Sequence, residues 1–406
     1  MGCCSKKKPE QMDKLIKDSF DEGNKDNSIT DDNDQKIDNE DVEKGPDRTS
    51  GKKLCYDDFI PLKLLGTGSF GRVLLVRKKS NKKLYAMKIL LKSFIKQRHQ
   101  EEHTKTERDL MVSINCPFVM NINYAFQDEI QLYLITDFMQ GGDMFFHLHE
   151  KGSFQRETTK FYLIELVLAL ESLHKHNMIY RDLKPENILM DSEGHIKITD
   201  FGLSKILPDM NDKTFTLCGT PQYIAPELLY RQGYTKAIDW WSLGCVFYEM
   251  LTGCLPFSIP RGGKISHKIF EAPIRITKNI NKIEEDLLKR LLCVDPKNRI
   301  GNGTRDAEEV KEHPYFQGVK WDEYVKKKIK VPFKPQLKND LDLSYFDRAF
   351  TDEPVDTKQM VPRSRVQSDY YGFTYYGNSQ QTDINKLAPR NDNEVINDVN
   401  DEREEE

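Results

Sequence analysis

Arg181-Asp182-Leu183-Lys184-Pro185-Glu186-Asn187 and, further along, Asp200-Phe201-Gly202 are the two phrases on which the reading of this chain turns. Asp182 is a carboxylate able to take a proton from a hydroxyl. Asn187 and Asp200 bring hard oxygen donors of the kind that hold magnesium against phosphates. A base and two metal-holding groups in so short a span describe phosphoryl transfer. Asp-Phe-Gly alone would arise by accident in roughly 5% of chains this long at average composition. In order with its neighbours it is no accident.

Upstream, Gly66-Thr67-Gly68-Ser69-Phe70-Gly71 and then Arg72-Val73 lie between two strand-like runs. The glycines permit a tight turn whose backbone N–H groups approach phosphates without side-chain clash. A dinucleotide-binding loop would need a helix next, and here a strand follows. Tyr85-Ala86-Met87-Lys88-Ile89 then sets the Lys88 ammonium beneath that loop, to pair with the α- and β-phosphates. On the following helix Glu107 would fix Lys88 by an ion pair. Glu102 competes for that role, and Glu107 is preferred because it shares a helix face with Leu110 and Ile114.

Periodicity gives strands over 59–65, 72–77, 84–90 and 132–138, with one helix over 99–114. From Asp143 onward the pattern turns helical. Long helices run over 157–176 and 236–251, the second stopped at Gly253. A strand-rich lobe at 59–138 followed by a helix-rich lobe at 139–316 makes a two-lobed α+β enzyme with a cleft between. Residues 1–55 and 377–406 are too polar to offset chain entropy and read as disordered, the second ending in an acidic run. There is no internal repeat.

In a chain of 406 residues the 38% hydrophobic content builds a sizeable core even beside 31% charged residues. A net charge of −4 gives no electrostatic case for nucleic acid. The eight cysteines lack metal-ligand spacing and no apolar leader is present, which predicts a reduced, intracellular setting. A cytoplasmic monomer is expected. Cys116, Cys245, Cys254 and Cys293 read as small core hydrophobes. No apolar run reaches about twenty residues, so nothing spans a membrane.

With these motifs in order, the chain from Phe59 to Phe316 resembles the eukaryotic protein kinases. The resemblance implies the two-lobed kinase fold, a small antiparallel β-sheet lobe with one main helix and a larger helical lobe, with ATP and Mg2+ as cofactors. It makes Asp182 the base, Lys184 the cation on the transferring phosphoryl group, and Asn187 and Asp200 the metal ligands. Adenine would lie among Val73, Ala86 and Leu189, hydrogen-bonded near Asp137 and Met139, although these apolar residues would equally suit a plain core. Glu227 in Ala225-Pro226-Glu227 should pair with Arg299, and Asp239 should anchor the catalytic loop. Lys184 with Thr220 is similar to the serine/threonine enzymes, and Leu203 to those preferring serine. Tyr180 stands where the general phrase has His, with no expected loss of activity. Asp143, Glu186 and Glu249 match positions that receive basic side chains of a substrate, Asp143 being shorter than the usual Glu.

The segment Lys213 to Thr220 resembles the activation segment of the AGC group, and Thr216 is then the target of an upstream activating kinase. Its phosphate would meet Arg181, Lys205 and His103. Residues 317–376 resemble this group's C-terminal tail. Tyr345-Phe346 would cross the adenine mouth. Tyr370 and Phe373 would dock beside the Glu107 helix, with Tyr370 standing where the pattern prefers Phe. Thr357 and Thr374 are its phosphorylation candidates. The tail is most similar to those of the ribosomal-protein kinase and protein kinase B branches. Met1-Gly2-Cys3-Cys4-Ser5-Lys6 looks like a lipidated terminus, with myristate on Gly2 and palmitate on Cys3 or Cys4 tethering the protein to a membrane; Lys6 holds the place the acylation pattern gives to Ser or Thr. Two other classes stay in view. A catalytically dead scaffold is opposed by Lys88, Asp182, Asn187 and Asp200, and a small-molecule phosphotransferase by the peptide-side segment from Leu217 to Glu227.

Overall fold

In this computed structural model residues 54–68, 71–97, 101–209, 212–230, 233–257, 270, 272–355, 370 and 372–377 are described. Strands β1 (Phe59–Gly68), β2 (Gly71–Lys78), β3 (Leu84–Leu91), β4 (Ile122–Gln127) and β5 (Gln131–Asp137) form one antiparallel sheet in the order β1-β2-β3-β5-β4. Helices α1 (Lys92–Gln97) and α2 (Glu101–Ser113) come between β3 and β4. Alternation divides the faces of this sheet. Leu74, Val76, Met87, Ile89 and Ile135 close one apolar core with Phe59 and Phe126. The register pairs Val73 with Lys88 and Leu75 with Ala86, so Val73, Ala86 and Lys88 share the opposite face, which looks toward α2 and the cleft.

The large lobe contains α3 (Met144–Lys151), α4 (Arg156–Lys175), α5 (Pro226–Tyr230), α6 (Ala237–Thr252) and α7 (Lys282–Leu291), closed by α8 (Ala307–Lys311) and α9 (Trp321–Val325). Both α4 and α6 are buried along nearly their whole length, as expected of helices apolar on every side. Each fully buried large side chain, Trp240 and Trp241 among them, contributes about 1.5–3 kcal/mol or more. Gly253 stops α6 in the left-handed conformation, φ 70°, and a Cβ there would lie 1.6 Å from the Gly152 carbonyl oxygen. Two short antiparallel strand pairs flank the diagnostic phrases. β7 (Ile188–Met190) pairs with β8 (Ile196–Ile198), and β6 (Met178–Ile179) with β9 (Lys205–Ile206).

The C-terminal segment crosses from one lobe to the other. Gln140 Nε2 donates to the Asn339 and Asp342 carbonyls at 2.6 and 3.2 Å, and Phe346 stacks on Phe138 at 5.7 Å. Helix α10 (Arg348–Thr351) lies on β1, where Lys63 Nζ donates to the Thr351 carbonyl at 3.0 Å. Ala125 of β4 and Tyr375 exchange both backbone hydrogen bonds, at 2.9 and 2.7 Å.

The expected strands and long helices are present within a few residues at each end. β4 and α1 are additions. Cys116 and Cys245 are buried as expected, but two cysteine assignments need correction. Cys254 is exposed, because it sits in the turn after α6 with its N–H on Thr252 Oγ1 at 3.2 Å, and Cys293 is only half-buried after α7. Among the described residues no helix is long and apolar enough to cross a membrane. The disorder expected at both ends falls outside the described residues, apart from 54, 55 and 377.

Candidate active site

Asp239, in the first turn of α6 and wholly buried, organises the loop before it. Its Oδ1 and Oδ2 accept the backbone N–H groups of Arg181 and Tyr180, both at 2.8 Å. This clamp holds Arg181 at φ 71°, a left-handed conformation that costs a residue with a Cβ on the order of 1–3 kcal/mol. His174 of α4 supports the clamp from behind. Its Nε2 meets Asp239 at 3.0 Å and its Nδ1 meets Asp306 at 3.0 Å. Burial alone would lower the imidazole pKa, but the two carboxylates outweigh it and push it up to about 9. Tyr180, where His was the general pattern, is buried, donates its hydroxyl to the Thr199 carbonyl and meets Phe201 edge to face.

With the loop fixed, Asp182 Oδ1 accepts both the Thr220 hydroxyl at 2.7 Å and the Thr220 N–H at 3.1 Å. Its Oδ2 accepts Asn187 Nδ2 at 2.9 Å and lies 3.0 Å from Lys184 Nζ. Lys184 in turn donates to Thr220 Oγ1 at 2.7 Å, which closes a ring of base, cation, amide and hydroxyl. On the other wall of the cleft Lys88 Nζ bridges Glu107 Oε1 at 2.8 Å and Asp200 Oδ1 at 3.3 Å. Burial works to lower the Lys88 pKa, but Glu107 and Asp200 hold it well above the ordinary lysine range, so it is cationic. The Lys88 charge is also the main reason the Asp200 carboxyl lies below its usual range. Asp200 has φ 61°, a second left-handed residue beside the first phrase. Glu107 is buried and Glu102 exposed, which decides between them. The side chains of Leu110 and His103 lie outside the described residues.

The proposed adenine slot is assembled from both lobes. Val73 and Ala86 are half-buried on the cleft face of the sheet, and half-buried Leu189 approaches from β7. The Gly141 N–H donates to the Met190 carbonyl at 2.9 Å and the Met190 N–H to the Gly142 carbonyl at 2.8 Å, pinning the connecting segment after Met139 onto β7. Gly66, Thr67 and Gly68 end β1, and Ser69 and Phe70 lie outside the described residues. A Cβ on Gly71 would lie 1.7 Å from the Ile89 carbonyl oxygen, so this glycine is demanded by the close approach of β2 to β3.

Asp143, Glu186 and Glu249 converge. Burial first, and the Glu186 charge after it, raise the Asp143 carboxyl to about 6 and the Glu249 carboxyl to about 7. Asp143 also caps α3, accepting the Phe146 N–H at 2.7 Å, while Glu249 accepts the Tyr223 hydroxyl at 2.6 Å. Thr216 is exposed, and its carbonyl accepts the Tyr234 hydroxyl at 2.7 Å, which itself accepts Arg181 Nη1 at 3.1 Å. Lys205 donates to Thr214 Oγ1 at 2.9 Å. Glu227 and Arg299 form a buried two-pronged pair at 2.6 and 2.9 Å.

Tyr370 and Phe373 are buried against the small lobe. Gln127 Nε2 donates to the Tyr370 carbonyl at 2.7 Å and Arg108 Nη2 to the Gly372 carbonyl at 2.6 Å. The Tyr370 hydroxyl is buried with no hydrogen-bond partner among the described residues. Thr374 is exposed. Thr357, Gly2, Cys3 and Cys4 lie outside the described residues. Sequence reasoning missed His174, Tyr223 and Tyr234, since their partners are distant along the chain and no local pattern marks them.

The family description "Protein kinase domain" matches residues 59–316. The chain belongs to the protein kinase family. A second description, "Protein kinase C terminal domain", matches residues 337–375, which covers the tail carried on the kinase's small lobe. Serine/threonine-protein kinase YPK2/YKR2 of Saccharomyces cerevisiae is 43% identical over 82% of this chain and 50% of its own length. Protein kinase 2 of Dictyostelium discoideum is 44% identical over 80% of this chain and 68% of its own. Ribosomal protein S6 kinase alpha-4 of Homo sapiens is 43% identical over 83% of this chain and 45% of its own. The kinase thus spans about half the length of most of these curated relatives. Its tail and core together are those of the AGC group of serine/threonine kinases.

Proposed function

We propose that the protein is an ATP-dependent serine/threonine kinase acting on protein substrates with basic residues upstream of the acceptor. The observation that carries this is the ring around Asp182, set across the cleft from the Lys88, Glu107 and Asp200 group. Asp182 orients the acceptor hydroxyl and takes its proton. Lys184 steadies charge on the transferring group, and Lys88, held by Glu107, pairs with the nucleotide's phosphates.

The donors fit magnesium. Asn187 and Asp200 offer hard oxygen atoms of the kind that hold an ion sharing its shell with water and phosphate. When bound, that ion neutralises charge on the phosphates. For a kinase turning over about ten times per second the barrier is near ~16 kcal/mol. Most of the acceleration comes from positioning and charge, which is what this rigid constellation supplies.

Selection of basic substrates is supported by the three converging carboxylates, whose mutual repulsion a guanidinium would relieve. Activation by phosphate on Thr216 is supported by its exposure and by its link through Tyr234 to Arg181. Membrane tethering through Gly2 rests on the sequence motif, and incorporation of labelled myristate that Gly2→Ala abolishes is its test.

The deciding experiment is phosphate transfer from labelled ATP to an arginine-rich serine peptide by wild type and Asp200→Ala, before and after treatment with an activating kinase. Transfer that needs Asp200 and rises with Thr216 phosphorylation is expected. A fully phosphorylated wild type with no transfer would leave the scaffold reading in its place.

A further inference from the structure

Asp137 closes β5 at the end of the small lobe, just before the segment that crosses to the large lobe. Its backbone is where adenine would be read, yet its side chain does something separate. Three donors from three elements converge on the one carboxylate. Lys83, just before β3, reaches Oδ1 at 3.2 Å, and Asn123 of β4 reaches the same oxygen at 3.2 Å. Lys197 of β8 reaches Oδ2 at 3.1 Å. Lys83 and Asn123 belong to the small lobe with Asp137. Lys197 belongs to the large lobe, and its strand partner is Leu189, the floor of the slot.

We infer that the Asp137–Lys197 pair is a pin between the lobes that sets how fast nucleotide leaves the cleft. The inference rests on the kinase reading of the cleft and extends it to the step after transfer. Opening the cleft must turn the lobes about the segment following Asp137, and that motion separates a small-lobe carboxylate from a large-lobe ammonium. The Lys197 side chain is only 15% exposed while that of Lys83 is 56% exposed, so the contact between lobes is the better shielded of the two ion pairs. Asn123 braces the other oxygen of this carboxylate from β4, the strand that also carries the docked tail through Ala125. Release of product through opening is commonly the slow step in enzymes with closing clefts, so a contact that resists opening acts on turnover as well as affinity.

Lys83 is the built-in control, because its loss removes a charge from the same carboxylate without touching the link between lobes. The test is the dissociation rate of a fluorescent ADP analogue, measured by stopped flow on the full chain, with KM for ATP and kcat alongside. Lys197→Met is expected to speed release roughly three- to tenfold and raise KM for ATP, as loss of one part-shielded charged hydrogen bond implies. Lys197→Arg should stay within about twofold of wild type, and Lys83→Met likewise. Asn123→Ala, which loosens the brace, should speed release by a smaller factor and tests the pin should Lys197→Met fail to fold. Unchanged release in Lys197→Met, or equal acceleration by Lys83→Met, would overturn the pin while leaving the kinase reading intact. A wild type that binds no nucleotide would overturn both.

Discussion

Replacing Tyr370 by Phe should tighten the tail's hold on the small lobe. The Tyr370 side chain is buried, 2% of the residue remaining exposed, and its hydroxyl finds no partner among the described residues. Burial also pushes the phenol up to about 12, with the Glu101 charge adding to it. An unpaired buried hydroxyl costs about 1–3 kcal/mol, and removing the oxygen without changing the ring's shape recovers most of that. The other contacts of the residue use the ring or the backbone: the Gln127 bond to its carbonyl at 2.7 Å, the edge-to-face contact with Phe373 at 6.1 Å, and Lys92 above the ring at 5.6 Å. A gain of about 1–2 kcal/mol corresponds to a roughly five- to thirtyfold shift toward the docked tail. Amide exchange at Ala125 and Tyr375, whose N–H groups pair with each other's carbonyls only while the tail is docked, reads that shift directly. Slower exchange at both amides is expected in Tyr370→Phe. Exchange that is unchanged or faster would mean the hydroxyl is satisfied in solution, and the reasoning from its burial would be wrong.

Two further outcomes follow from the titrating groups. Because Glu249 is raised to about 7 by burial, and then by Glu186, it takes up a proton between the ordinary carboxylate range and neutrality. The folded protein therefore loses stability as pH climbs from about 4 to 7, and KM for an arginine-rich peptide should fall over pH 6–8 as the carboxylate ionises. Glu249→Gln should flatten that KM profile and melt higher than wild type at pH 8 but not at pH 5, as peptide kinetics and thermal melts would register. His174 is the opposite case. With a folded pKa of about 9, above the unfolded value of about 6.5, its protonated form contributes stability that is complete below pH 6.5 and lost as pH rises through 9. The melting-temperature deficit of His174→Gln should be largest near pH 6 and close by pH 10, and a deficit independent of pH would show that the imidazole is neutral.

The parts of this molecule that the sequence discloses are those where chemistry fixes spacing. Asp182 and Asn187 must sit within reach of one another, and short loop geometry keeps them close in sequence as well as in space. The long helices were legible because they are mostly apolar, and the second ends at Gly253. β4 escaped although Ile122, Tyr124 and Phe126 alternate with Asn123 and Gln127, whose side chains bond Asp137 and the tail. α1 has six residues, too few for a helical period to declare itself. Cys254 was misjudged because apolar neighbours in sequence are not neighbours in space where a helix has just ended. The His174–Asp239–Asp306 support could not be read at all, since three residues from α4, α6 and the turn before α8 meet only after folding.

The tail's course gives the small lobe one more property. An antiparallel sheet that does not close has two outer strands, here β1 and β4, each offering a row of backbone donors and acceptors to any passing chain. α10 lies over β1, and Tyr375 takes up the free bonds of Ala125 on β4. The C-terminal segment thus rests against β1 and pairs with β4 at Ala125, and a fragment ending before residue 337 would lack both contacts. Self-association of such a fragment, more than loss of fold, is the expected outcome.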